Sequence, residues 1–213
     1  MPPWIAPVVA FLSLIVSGLT AWFTFFRRGS LRMTQPTLIF MGPDGPRFDG
    51  RKNKIYLRTL LYSTAKRGMV IESLHIALHR NDTKQNFNIW VYGERSELKR
   101  GSGLYVPQEG VALDHHFLQP EDGASFGFLA GAYRLTLFAK LVGDGAATEL
   151  ITIPLTITET RAAELAQPQT GLYFDWSPDQ QSYHAHADSR PESAQLLQQL
   201  LGVIAEGGTK QPS

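Results

Sequence analysis

The chain contains no cysteine. That removes disulfides, thiolate nucleophiles and cysteine metal sites together, and it leaves the compartment unreadable from redox chemistry. Charge is absent from one long stretch near the start: Trp4 to Phe26 carries none, and Arg27 and Arg28 follow at once. Motifs for nucleophilic catalysis are also missing, since there is no Gly-x-Ser-x-Gly elbow and the serines beside glycines, Ser30 and Ser102, sit in turn-like sequence. Gly101-Ser102-Gly103 leads into Leu104-Tyr105-Val106, a strand-like run, rather than into the helix start that makes a phosphate loop effective. Clustered basic and aromatic residues are lacking as well. Arg51, Lys52 and Lys54 are too few for a nucleic-acid footprint at a net charge of +1.

What is present begins with the uncharged stretch. At about 1.5 Å per residue it covers the hydrocarbon layer of a bilayer, and it predicts an uncleaved transmembrane helix within residues 1–28. A secretory signal is the rival, but Met1 to Pro3 has no basic residue and the apolar run continues well past Val16-Ser17-Gly18. Arg27, Arg28 and Arg32 flank only the far side, so positive-inside bias predicts a cytoplasmic C-terminal part; an extracytoplasmic one is the alternative. Charge is segregated in the same sense. Residues 27 to 80 hold eleven Lys or Arg against three acidic residues, and residues 101 to 213 hold five against thirteen, so the basic half lies next to the predicted bilayer. Ala6, Ala10, Ser13, Ser17, Ala21 and Thr24 recur at helical spacing and form a small-residue stripe, a candidate contact face for another helix.

Residues 29–158 read as one domain, in which residues 34 to 158 alternate in twos. Ile55, Leu57, Thr59 and Leu61 share one face, with Tyr56, Arg58, Leu60 and Tyr62 on the other. Val70, Leu74, Ile76 and Leu78 repeat the pattern, as do Phe87, Ile89 and Val91, then Tyr133, Leu135, Leu137, Ala139 and Leu141, and finally Ile151 to Ile157. Turn sequences such as Lys66-Arg67-Gly68, Arg80-Asn81-Asp82, Gln119 to Gly123 and Gly143-Asp144-Gly145 cut the region into seven or eight short strands. Such strands bury their apolar faces only against one another, which predicts a mainly β, antiparallel β-sandwich. Leu129-Ala130-Gly131-Ala132-Tyr133 resembles the tyrosine corner of immunoglobulin-like and fibronectin-type sandwiches, with Gly131 and Tyr133 as its defining residues. The resemblance implies the immunoglobulin-like architecture; the inter-sheet cystine of true immunoglobulin domains is missing.

Residues 159–208 read as a C-terminal extension. Thr158 to Thr170 suits a short helical turn or a linker, Leu172 to Trp176 and Tyr183 to Ala187 suit the arms of a hairpin, and Ser189 with Glu192 has capping-box spacing. Leu196, Leu197, Leu200, Leu201 and Ile204 then form the stripe of an amphipathic helix that Gly207-Gly208 ends, and residues 209–213 are expected to be a disordered tail.

Histidines are the remaining chemistry. His184 and His186 share a face if they lie on a strand, whereas the neighbours His115 and His116 point to opposite faces; a metal site would need a third ligand such as Asp114 or Asp188. His75 and His79, two strand repeats apart, would also share one face, which shows how readily the pattern arises by accident. The expected function is therefore a non-enzymatic, membrane-tethered interaction or assembly module with no cofactor. Its partners would be the bilayer and a protein, a second copy included, met through the apolar helix or the C-terminal helix. A membrane-bound metal-binding protein or enzyme using His115, His116, His184 and His186 is the alternative.

Overall fold

The computed structural model describes residues 2, 4–26, 29–44, 52–94, 97–120, 126–167 and 169–189. Arg27, Arg28, most of the Gln119–Gly123 turn, Glu192 of the capping box, the amphipathic helix expected after it and the tail at 209–213 lie outside that set. The first element is α1 (Ile5–Ala21), which widens into one π turn over Trp22–Phe26. Residues Ile5–Thr24 form a helix long and apolar enough to cross a membrane, and none of α1 is buried against the rest of the described chain. Five of the six small residues fall within α1, while Thr24 falls in the wider turn and so leaves their 3.6-residue spacing. Ser13 and Thr20 each donate to the carbonyl one turn back, Val9 at 2.9 Å and Val16 at 2.7 Å, so these hydroxyls are satisfied within the helix.

Thirteen strands follow among the described residues. They are β1 (Leu31–Met33), β2 (Leu38–Pro43), β3 (Asn53–Ser63), β4 (Met69–Arg80), β5 (Thr83–Phe87), β6 (Ile89–Gly93) and β7 (Lys99–Arg100). Then come β8 (Leu104–Val106), β9 (Val111–Leu118), β10 (Gly131–Leu141), β11 (Thr148–Ile157), α2 (Glu159–Leu165), β12 (Thr170–Ser177) and β13 (Ser182–Ser189). The eight-stranded sheet runs β13-β12-β2-β3-β9-β6-β7, with β1 on the same side of β3 as β2; the five-stranded sheet runs β11-β10-β4-β5, with β8 also on β4. Every pairing is antiparallel.

The alternation read from the sequence places the core. Ile55, Leu57 and Leu61 of β3 pack with Phe117 of β9 and Phe174 of β12 from one sheet, and with Leu74, Ile76, Leu78, Leu135, Leu137 and Ile153 from the other, all essentially inaccessible to water. Two sheets thus close over one apolar interior, which is the dominant favourable term in such a fold.

Three departures from simple alternation have local causes. In β4 the register slips opposite Lys140 and Leu141, so Ser73 faces Lys140 and Ile71 faces Leu141. This bulge at Glu72 turns Ile71 inward and leaves Val70, expected inside, 40% exposed. The run Phe87-Ile89-Val91 is not one strand: Phe87 ends β5 in the small sheet, Ile89 opens β6 in the large one, and the buried face becomes Phe87 and Trp90. With the short β7 and β8 this yields ten strands from Leu38 to Ile157, where the turn sequences suggest seven or eight. Finally, Pro36 lacks the N–H a ladder needs and divides the first strand into β1 and β2, while Thr34 and Thr37 still donate to Leu60 and Arg58 of β3.

The C-terminal hairpin, expected beyond the body, is part of its large sheet. Leu172 to Asp175 of β12 pair with β2 from Met41 back to Leu38. Thr158 caps α2 by accepting from the Arg161 N–H at 3.3 Å, which resolves the helix-or-linker alternative in favour of a short helix.

Candidate functional site

Backbone register builds one continuous row across the outer face of the large sheet. His186 of β13 stands opposite Tyr173 of β12, Tyr173 opposite Phe40 of β2, Phe40 opposite Tyr56 of β3, and Tyr56 opposite His116 of β9. The rings meet: His186 stacks on Tyr173 at 5.4 Å between centroids, Tyr173 meets Phe40 at 4.8 Å, and Tyr56 meets His116 at 4.9 Å. Cross-strand ring pairs of this kind add to pleat packing.

Phe40 is the centre of the row. Its ring lies flat on the backbone because β2 and β12 supply Gly42 and Gly171 beneath it; a Cβ at Gly42 would come within 2.7 Å of the ring, and one at Gly171 would collide with it outright. Lys54 holds its ammonium 5.9 Å above the same ring and 2.9 Å from Asp44. Although Phe40 points away from the interior, it is only 4% exposed.

Beside the row runs a polar network. The Tyr56 hydroxyl donates to Asp114 Oδ1 at 3.0 Å, and the Arg58 guanidinium stands 3.8 Å from the same oxygen. Burial, then the hydrogen bond and negative charge of Asp114, push the Tyr56 phenol up to about 12, so it stays a proton donor. Burial and then Lys54 lower the His116 imidazole, against the opposing pull of Asp114 and Asp44. At its Tyr56 and His116 end the aromatic strip thus holds a phenol that keeps its proton beside an imidazole that resists gaining one. Such a strip suits stacking and packing better than proton transfer.

The four sequence-nominated histidines do not converge. His115 and His116 take opposite faces of β9: His115 is fully buried, accepts from the Trp90 indole at 3.2 Å through Nδ1, and is lowered to about 3 by burial and then by His116. His184 and His186 do share a face of β13, but His186 pairs through Nδ1 with Asp175 at 2.9 Å. Three strands separate β13 from β9, so His186 and His116 stand about 19 Å apart at the usual strand spacing. Among the described residues no group of three or more His, Cys, Asp or Glu side chains is placed to hold a metal. Asp114 belongs to Tyr56 and Arg58 instead.

Gly131 and Tyr133 open β10, where Gly131 takes φ +145° and the Tyr133 hydroxyl donates to the Leu129 carbonyl at 2.7 Å. Arg80 of β4 closes the same corner by donating to the Ala130 carbonyl at 3.1 Å. Sequence reasoning puts Tyr56 outside with Arg58 but does not find the row, because its members come from five strands whose order and register no local pattern encodes.

The molecule is thus a mainly β protein of two facing antiparallel sheets behind one apolar N-terminal helix. No protein-family model and no curated protein sequence matches the chain.

Proposed function

We propose that this chain is a single-pass membrane protein whose immunoglobulin-like β-sandwich serves as a non-enzymatic interaction module, with the outer aromatic row as its protein-binding face. The observation that carries this is the row itself: Tyr and His rings beside Arg58, seated on a rigid sheet rather than on loops. Aromatic residues and Arg are the types enriched where proteins meet, and a rigid seat lowers the entropy lost on contact. The uncovered Ile5–Thr24 helix supports a tether, and the Arg27, Arg28 and Arg32 flank supports a cytoplasmic body. The Tyr133 corner supports the immunoglobulin-like assignment.

Comparing proteins retained from solubilised membranes by the full chain and by a Tyr56→Ser, Tyr173→Ser variant of unchanged circular dichroism tests the face; identical retention refutes it. A reporter fused after Ser213 tests sidedness, and activity only outside the cytoplasm overturns the orientation. Tyr133→Phe is expected to cost about 1 kcal/mol of stability, and an unchanged urea midpoint removes the corner's contribution. A metal centre built on His115, His116, His184 and His186 has no comparable geometric support.

A further inference from the structure

The end of the two-sheet body beside the apolar helix has a composition unlike the rest of its surface. Hydrogen bonds hold Ser30, four residues beyond the helix, to the turn between β3 and β4: the Ser30 N–H donates to Thr64 Oγ1 at 2.7 Å, and the Thr64 N–H returns to the Ser30 carbonyl at 3.0 Å. Gly29 lies so close to Ala65 that a side chain there would strike it. The turn between β3 and β4 therefore stands at the foot of the helix. Lys66, at its tip, lies with Val16, Leu19, Thr20, Phe23 and Thr24 along one shallow groove on the helix.

Three large apolar side chains stand exposed on the same end. Val70 is 40%, Tyr105 54% and Val142 63% accessible. They are neighbours, because Val70 pairs with Tyr105 across β4 and β8 and the Val142 N–H donates to the Val70 carbonyl at 3.0 Å. The bulge at Glu72 is what turns Val70 outward. Tyr105 also donates to the Arg67 carbonyl at 3.2 Å, which holds the turn against this patch. Lys66 and Arg67 are exposed and have no ion-pair partner among the described residues. Glu109 and Asp144 are the acidic groups on the neighbouring turns.

We propose that this end is a membrane-interface contact: Val70, Tyr105 and Val142 enter the headgroup layer of the bilayer that α1 crosses, while Lys66 and Arg67 meet lipid phosphates. The inference rests on the reading of Ile5–Thr24 as a span. Given that span, the foot of the helix lies at the interface, and a patch fixed to that foot lies at the same depth. Aliphatic and Tyr side chains gain by leaving water there, and long basic side chains bury their stems while keeping their charge at phosphate level. The occupant is a lipid surface and not a free anion, because the patch is apolar at its centre and basic only along one border. The consequence is mechanical. Contacts at a second place besides the span limit how far the body can swing, and the orientation of the outer aromatic row is held relative to the bilayer.

The absence of cysteine makes the test clean. The full chain, in nanodiscs of mixed phosphatidylcholine and phosphatidylglycerol, is labelled with an environment-sensitive fluorophore at Val142→Cys or, separately, at Val70→Cys. Lipids carrying a quencher near the headgroup are expected to lower emission from both positions by about twofold. A label at Thr83→Cys, at the far end of β4 and β5, is expected to stay unquenched, and one at Leu12→Cys is quenched by lipids carrying the quencher deep in the chain. Adding Lys66→Gln with Arg67→Gln weakens quenching at position 142. If positions 70 and 142 behave like position 83 while position 12 is quenched, the contact is refuted and the span stands. If position 12 is also unquenched, the span itself fails and takes the contact with it.

Discussion

The two faces of the eight-stranded sheet use the same residue types to different ends. On the inner face Phe117, Trp90 and His115 lie under a second sheet, with the one imidazole kept neutral and its Nδ1 bonded to an indole N–H. On the outer face Phe40, Tyr56, Tyr173, His116 and His186 form a strip with nothing from the small sheet over it. Neighbouring residues His115 and His116 belong one to each. A period of two makes both faces from one strand, and what covers a face then decides whether an aromatic ring is core or surface.

The comparison predicts unequal costs. Phe117→Ala, which empties space between the sheets, is expected to destabilise the body by about 3–5 kcal/mol, read from its denaturant midpoint. A smaller loss would mean that the two sheets are less closely packed than their burial implies.

His115 adds a pH signature on the same face. Its folded value is lowered to about 3 from the ordinary 6.5, so the unfolded chain binds the proton more readily in between. Its contribution is complete above about 6.5 and is lost as pH falls toward about 3. His115→Gln, which keeps a polar side chain without a titrating ring, is expected to flatten stability across that window. An unchanged slope would assign the acid sensitivity to other groups.

On the outer face the largest effect is expected from Gly171→Ala, because the new methyl group must lift Phe40 off the strand. A cost of about 1–3 kcal/mol follows, together with a shift in the environment of Tyr173. Tyr56→Phe is the mildest change: it removes the donor to Asp114 and is expected to cost about 1 kcal/mol, with spectrophotometric titration losing one of the two phenols, Tyr56 and Tyr183, that burial pushes up to about 12. An outer-face loss as large as that of Phe117→Ala would abolish the distinction between the faces.

Much of the strand content is legible in the residues themselves. Alternation along β3, β10 and β11 needs no tertiary information, and neither does the turn at Lys66-Arg67-Gly68, where Gly68 takes φ +68°. Where alternation misleads, the cause is a partner strand. Val70 faces outward because β10 forces a bulge at Glu72, and Phe87 parts from Ile89 because the chain changes sheets at Asn88. The hairpin of β12 and β13 is likewise readable as a hairpin, but its place along β2 is not.

Composition and order along the chain determined by themselves that no thiol chemistry exists here, that an uncharged helix-length segment precedes a strand-built body, and that His115 and His116 part to opposite faces. Those properties follow from side-chain chemistry and from the fixed periods of helix and strand. Tertiary structure alone decided that Gly42 and Gly171 lie under Phe40, that five rings from five strands line up, and that Val70, Tyr105 and Val142 meet at the foot of the helix. Sheet order and register join residues more than a hundred positions apart, and such pairings are set by the closing of the two sheets on a common core rather than by any local pattern.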